Sequence, residues 1–466
     1  MIANDQRCVN LYLENNPANT KAPMPTTHYQ RPGKVTRWSA PGPGAARCLY
    51  KASNGDLFAV VYDTVYFIKP SYEHVVIGNI APGTTPVCMA DNGETAGNSI
   101  VLVDGTSTGY EINMTTYVMS PIVDPTGLFQ GADIVRYLQT FLMFNVRDSQ
   151  NWIITQPNSV TFDALDIASK ASFGDNLSNI GIRLKEVWLI GDLTTEPWFL
   201  SGAADFPFEA MQSTFVPYGT AAQFSVVFAG NALFWLSRNE QGQAIFMQTV
   251  GYELKHISTV ALTGEIQKYE RIDDCIGQAF QIEGHTFVVF TFPTANKTWV
   301  YDTNTEQWAQ WAWYDDDGVS NRDRGVYFTS AYGVNLAQDW ETGSIYEIRT
   351  DIYTDDGRDI TYVRGFPHVN NMLNRITHWT VRVDMDCGQI TDPDAEMPIL
   401  NMIYRDRGGE WSEPAQQPMG KVGEYQTMPQ FNRCGMGRDR IYEFFWTIGF
   451  KTAMNSVYID PEESES

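Results

Sequence analysis

The stretch Thr298-Trp-Val-Tyr-Asp-Thr-Asn-Thr-Glu-Gln-Trp308 decides the fold. It begins as a strand of β-branched and aromatic residues, breaks at an Asp/Asn turn, and resumes on an aromatic side chain. Asp and Asn favour such turns because their short side chains bond the backbone two residues on. The pattern predicts two antiparallel strands joined by a tight connection.

The same pattern repeats on the N-terminal side. Strand pairs are predicted at 57–62 with 65–68, 100–103 with 110–112, 141–146 with 152–155, 186–191 with 198–201, 232–237 with 244–249, and 286–292 with 298–302. Asn54-Gly55 and Asp104-Gly105 are tight-turn dipeptides. The pairs recur about every 45 residues, the spacing of propeller blades, and 298–308 reads as a kelch-like blade edge. The prediction is all-β: a β-propeller of about six blades over 46–354. Only 163–170 and 261–271 read as helices.

The flanks differ. Residues 1–45 hold one strand-like piece, Val9-Asn10-Leu11-Tyr12-Leu13, then Pro17, Pro23, Pro25, Pro32, Pro41 and Pro43. Proline lacks the ladder donor, so an extended arm is expected, packing on the C-terminal domain or an adjacent ring. Past the turn Asp355-Asp356-Gly357-Arg358, longer alternating strands at 379–385, 398–404 and 440–450 predict a β-sandwich-like domain over 355–460. The acidic tail 461–466 is expected to fray.

Composition narrows the function. The chain has 466 residues, 43% hydrophobic and 13% aromatic, enough for a large core. Its formal net charge of −23 is the wrong sign for gripping a nucleic-acid backbone or an anionic membrane. Cys8, Cys48, Cys88, Cys275, Cys387 and Cys434 are scattered and read as reduced thiols. There is no signal-peptide pattern and no apolar run near the ~20 residues of a membrane span. Folding in a cytoplasm is therefore expected.

No catalytic motif emerges. His28, His74, His256, His285, His368 and His378 stand singly, outside metal-ligand spacing. GxSxG, P-loop and GxGxxG patterns are absent. Asp315, Asp316 and Asp317 form an acidic run that reads as a solvated turn, with cation binding as the alternative. Asp406, Gly408 and Trp411 match the D-x-G-x-x-W core of an Asp box. In such a box the carboxylate accepts turn amides, the glycine takes positive φ and the tryptophan packs beneath. No catalytic, metal or cofactor residue is assigned, and the chain is read as a non-enzyme.

A collinear set of segments carries a family resemblance. It comprises Val9-Asn-Leu-Tyr-Leu-Glu14, Arg37-Trp-Ser-Ala-Pro41-Gly42, Ala46-Arg47-Cys-Leu-Tyr50, Asn151-Trp152-Ile-Ile-Thr155, Lys185-Glu-Val-Trp-Leu-Ile-Gly191 and Glu196-Pro-Trp-Phe-Leu-Ser-Gly202. Asn374-Arg-Ile-Thr-His-Trp379, the Asp box, Met419-Gly-Lys-Val-Gly-Glu-Tyr425 and Gly435-Met-Gly-Arg438-Asp-Arg440 follow in order. Together they resemble the packaged-DNA stabilisation proteins, or tail hub (nozzle) proteins, of short-tailed bacteriophages.

That resemblance implies a homohexameric ring in the virion tail, assembled in the host cytoplasm below the portal-adaptor protein. It implies docking of a tailspike or tail fibre and of a tail needle or plug. Double-stranded DNA would be retained, then conducted without sequence-specific binding or membrane insertion. An acidic lumen would let DNA slide. Arg322 with Arg324, or Arg438 with Arg440, would supply a basic ring, unless they form ion pairs inside the subunit. The rivals are a glycan-active propeller enzyme and a lectin-like propeller that stacks sugars on Trp308, Trp311 and Trp313.

Overall fold

The computed structural model describes residues 7–16, 25–42, 44–170, 173–203, 205–211, 214, 216–390 and 396–463. Pro17, Pro23 and Pro43 lie outside them. The chain divides into two compact units. One comprises Thr36–Asn296 with Arg324–Glu347; the other comprises Met1–Val35, Lys297–Asp323 and Ile348–Ser466. The chain passes between units four times, whereas the sequence reading placed borders at 45/46 and 354/355.

The first unit is a propeller. Five antiparallel sheets of four strands follow one another, with innermost strands Ala46–Lys51, Cys88–Asp91, Val135–Leu138, Leu177–Arg183 and Val227–Ala229. Two further inner strands, Ile276–Ile282 and Gly325–Ala331, complete a cycle. Each inner strand lies beside the next, and Gly325–Ala331 lies beside Ala46–Lys51. The ring therefore has seven blade positions, against the sequence estimate of about six.

The residue pattern explains the stacking. Leu57–Val61 is buried throughout because both faces of its blade are covered. Phe58 and Val60 face Ile100 and Leu102 of the second blade. Leu57 and Ala59 face Val326 and Leu336 of the seventh. Alternate residues of one strand thus serve two interfaces. Trp152 and Trp198 repeat this role at 5.5 Å between the third and fourth blades, and Trp188 packs with Trp235 between the fourth and fifth.

Closure uses chain from the N-terminal side. Thr36–Trp38, the end of the strand Gly33–Trp38, runs beside Ile345–Glu347, and Arg37 pairs with Glu347. Trp38 then packs edge-on against Tyr66 of the first blade at 5.3 Å.

The second unit is a two-sheet sandwich. One sheet contains Arg358–Gly365, Asp439–Ile448, Ile399–Asp406 and Ala415–Pro418. The other contains Leu11–Asn15, Thr26–Gln30, Ala453–Glu463, Ile376–Met385 and Gln430–Asn432. Tyr362, Phe444 and Trp446 of the first meet Val381, Val383 and Phe431 of the second.

Three expectations change here. The N-terminal segment is strand within the sandwich, not an arm lying upon it: proline occurs at strand borders, while Thr26–Gln30 keeps its donors and pairs with Ala453–Glu463. The stretch 163–170 is not helical. It turns at Asp163, whose carboxylate accepts the Leu165 amide, and then forms the edge strand Ile167–Ser169 of the third blade. The tail's strand continues through Glu463, paired with Ile376; residues 464–466 lie outside the described set. The other helix expectation corresponds to Val260–Ile266, capped by the Thr259 hydroxyl accepting the Leu262 amide at 3.2 Å.

Candidate interaction site

The charged residues singled out from the sequence fall in separate settings. Asp315 closes its own turn, accepting the Val319 amide at 2.8 Å and the Asp317 amide at 3.1 Å. Those bonds hold its carboxyl below the usual range, the Val319 amide foremost. Asp316 pairs with Arg358 at 2.7 Å, and Asp317 is exposed. The run is a hydrogen-bonded turn. Among the described residues, no three His, Cys, Asp or Glu side chains are grouped to hold a metal.

The arginines also diverge. Arg324 is bound by Asp339 and Glu341 and lies over Trp340 at 5.3 Å. Arg440 makes a two-pronged pair with Asp406, both bonds 2.7 Å, and stacks on Tyr404 at 4.0 Å. Arg438 donates to the Leu373 carbonyl at 2.7 Å. Arg322 ends the short strand Ser320–Arg322, half-buried, opposite Ala312. Arg324 and Arg440 are thus committed to ion pairs inside the subunit.

The Asp box departs from expectation. Gly408 has the expected positive φ of 77°. Asp406, however, binds the Arg440 fork from a neighbouring strand. Trp411 is 38% exposed, with the Arg405 guanidinium 4.5 Å from its ring centroid, and does not pack beneath the turn. The reason is geometric: Arg440 sits opposite Asp406 in the ladder and offers the carboxylate a bidentate partner.

Of the tryptophans proposed for sugar stacking, Trp311 is buried, with Arg31 at 5.9 Å. Trp313 is half-buried under Arg358 at 5.0 Å, and Trp308 packs against Tyr301 at 5.1 Å. The three serve packing and cation contacts rather than one exposed platform.

Sequence reasoning missed the most heavily charged constellation. Arg31, Lys34, Asp323 and Asp355 are all buried in the sandwich unit. Arg31 donates to Asp355 at 3.0 and 2.5 Å, and Lys34 to Asp323 at 2.7 Å. Burial alone would raise Asp355, but Arg31 and Lys34 outweigh it and hold the carboxyl at about 2. Two cations and two carboxylates balance, which is the condition for burying charge at all. Gly33 lets this segment approach, because a Cβ there would fall 2.5 Å from the Ile352 carbonyl oxygen. The visible signal was Arg31-Pro-Gly-Lys34, two cations with no acid nearby in sequence.

Asn10 stands beside it. At φ 58° it turns the chain from Cys8–Val9, in the first sheet, to Leu11–Asn15, in the second. Its amide donates to the Ala312 and Thr361 carbonyls at 2.8 Å, and its oxygen accepts from the Ala312 amide and Arg31. The strand-like piece at 9–13 is therefore broken at a fully bonded asparagine, a residue type that tolerates this backbone.

The fold and these interactions define a structural β-propeller with an appended sandwich. The chain belongs to the phage stabilisation family described as "Bacteriophage P22 Gp10, beta-propeller", which matches residues 3–353. No curated protein matches it. Among solved structures, it is similar to the extracellular domain of a B. thetaiotaomicron protein assigned to the hybrid two-component systems, at 10% identity and a TM-score of 0.45. That match covers 82% of this chain and 44% of the other, so the chain spans less than half of that structure. It is also similar to the WD40 β-propeller domain of Doa1, at 7% identity and a TM-score of 0.40, covering 70% of this chain and 97% of that one.

Proposed function

We propose that this phage stabilisation protein is a non-enzymatic hub of a virion tail. Copies of the chain form a closed ring, six in number, below the portal-adaptor protein. The ring retains packaged DNA, conducts it at ejection, and carries the tail fibre or spike and the plug. The observation that supports this reading is the family match across 3–353. The charge of −23 accords with it, because an acidic wall repels phosphate and gives passing DNA no grip.

The test is assembly. The purified chain, alone and with adaptor-bearing particles lacking a tail, is examined by light scattering and negative-stain imaging. A six-fold ring with a hole about the ~20 Å width of duplex DNA is expected on the particles. A chain that stays monomeric, does not join the particles, and binds or cleaves a glycan would replace this reading with a carbohydrate-directed one.

A further inference from the structure

One cavity in the propeller unit is not absorbed by this account. It has a volume of about 470 Å³ and is lined by residues of three consecutive blades, including Arg136, Ile182, Leu184, Phe228, Asn231 and Leu233. Its lining comes from the innermost strands Val135–Leu138, Leu177–Arg183 and Val227–Ala229, from the turns that follow the latter two, from Val226 just before Val227–Ala229, and from Leu233 at the start of the second strand Ala232–Arg238. It therefore lies on the inner-strand side of these blades, at the end where first and second strands join.

Two features point to an occupant. The rim is apolar and exposed: Leu184 is 62% and Phe228 44% accessible. Large apolar side chains left open around a concavity mark a contact surface, and at Leu184 and Phe228 they stand outward on the rim, where an extended chain can cover them. The second feature is Arg136, the only charged group in the lining. Its guanidinium donates to the Cys88 sulfur at 2.7 Å and to the Val135 carbonyl at 3.0 Å. Among the described residues it has no carboxylate partner, although the chain carries 55 acidic residues. A guanidinium in an apolar recess without a carboxylate partner is complementary to a carboxylate brought in by a partner.

We infer that this recess is a docking site for a partner protein's segment in which a carboxylate side chain is flanked by large apolar residues. The carboxylate meets Arg136, and the apolar residues cover Leu184 and Phe228. Nucleic acid is a poorer fit, because phosphate offers nothing to the apolar rim. The inference is independent of the ring reading above.

The test uses the full chain and two labelled nine-residue peptides. One has a central glutamate between leucines; the other has glutamine there. Fluorescence polarisation is expected to show the glutamate peptide binding at least about tenfold more tightly. Arg136→Gln should abolish that preference while leaving weak binding of both peptides. Phe228→Ser, at an exposed position, should weaken both alike without changing the melting temperature. Equal affinity of the two peptides for the unmodified chain, or no binding of either, would overturn the inference. So would a preference that survives Arg136→Gln. If decanoate binds with the same Arg136 dependence and neither peptide does, the recess takes a small apolar anion and the peptide assignment fails.

Discussion

The two units of this chain are held together in different ways. In the propeller, order is local. Each complete blade is a run of antiparallel strands near one another in sequence, and its interfaces are mainly apolar, as between Phe58 and Val60 on one side and Ile100 and Leu102 on the other, with a few polar contacts such as Tyr50 to Asp91. In the sandwich unit, order is long-range. Strands from the N-terminus, from 297–323 and from the C-terminal third are joined by Asn10 and by the buried Arg31, Lys34, Asp323 and Asp355. The comparison teaches that a repeat can keep its buried charges local, as Lys170 does with Asp175 five residues on, and stack its blades mainly through apolar surface. A unit assembled from distant segments uses directional polar groups to select one arrangement, a role buried polar networks fill in some proteins.

The difference can be broken at its strongest point. Asp323→Ala leaves Arg31 and Lys34 to share one carboxylate in a buried site. The expected loss is about 3–5 kcal/mol, confined to the sandwich unit and read by hydrogen exchange of Asp439–Ile448 amides against those of Ser99–Val103. Equal loss of protection in both strands would mean that the units do not differ in this way. The converse cut is Leu102→Ala, a cavity between the first two blades, with an expected cost of about 2–5 kcal/mol measured by denaturant unfolding. Protection should fall first in those blades.

Acid sharpens the contrast. Burial holds His28 at about 3 and His378 at about 4, against an ordinary 6.5. Arg364 adds to the lowering at His28, and Arg440 at His378. Below pH 6.5 the unfolded chain therefore takes up protons that the folded sandwich excludes, and stability falls as pH falls. The decline runs to about pH 4 for His378 and about pH 3 for His28. Asp355 adds a further loss between pH 3.8 and about 2, where its protonation removes the attraction to Arg31. His378→Phe should reduce the stability lost between pH 6.5 and 4.5 by at least about 1 kcal/mol, as seen in denaturation midpoints. An unchanged slope would exclude His378 as a source. The smallest effect is expected at Lys69, paired with Glu73 on the exposed surface at 3.2 Å. Lys69→Ala should shift stability by less than about 0.5 kcal/mol, and the melting temperature is a sufficient check.

What could be read from the sequence follows the same division. The paired strands from 57–62 to 244–249 fall on the middle two strands of the first five blades, because those strands are apolar, adjacent and joined by turn residues. The innermost and outer strands escaped notice. Cys88–Asp91 and Met119–Pro121 are short and carry no alternation. The seventh blade position was missed although Gly325–Ala331, Val334–Asp339 and Ile345–Arg349 follow one another, because the middle strand Val334-Asn-Leu-Ala-Gln-Asp339 is polar and carries little of the pattern; its fourth strand, Thr36–Trp38, is about 300 residues away in sequence. In the candidate site, Gly408 was legible from a local rule, whereas the Asp406 partnership with Arg440 depends on strand order. Arg136 gave no signal, since nothing near it in sequence marks an inner blade strand beside a cavity.

The most direct test of the central claim, stabilisation of a phage particle, is nuclease protection of packaged DNA. Particles assembled without this chain should package DNA but lose it to added nuclease, and purified chain should restore protection. Particles that keep their DNA and eject it normally without the chain would contradict the account.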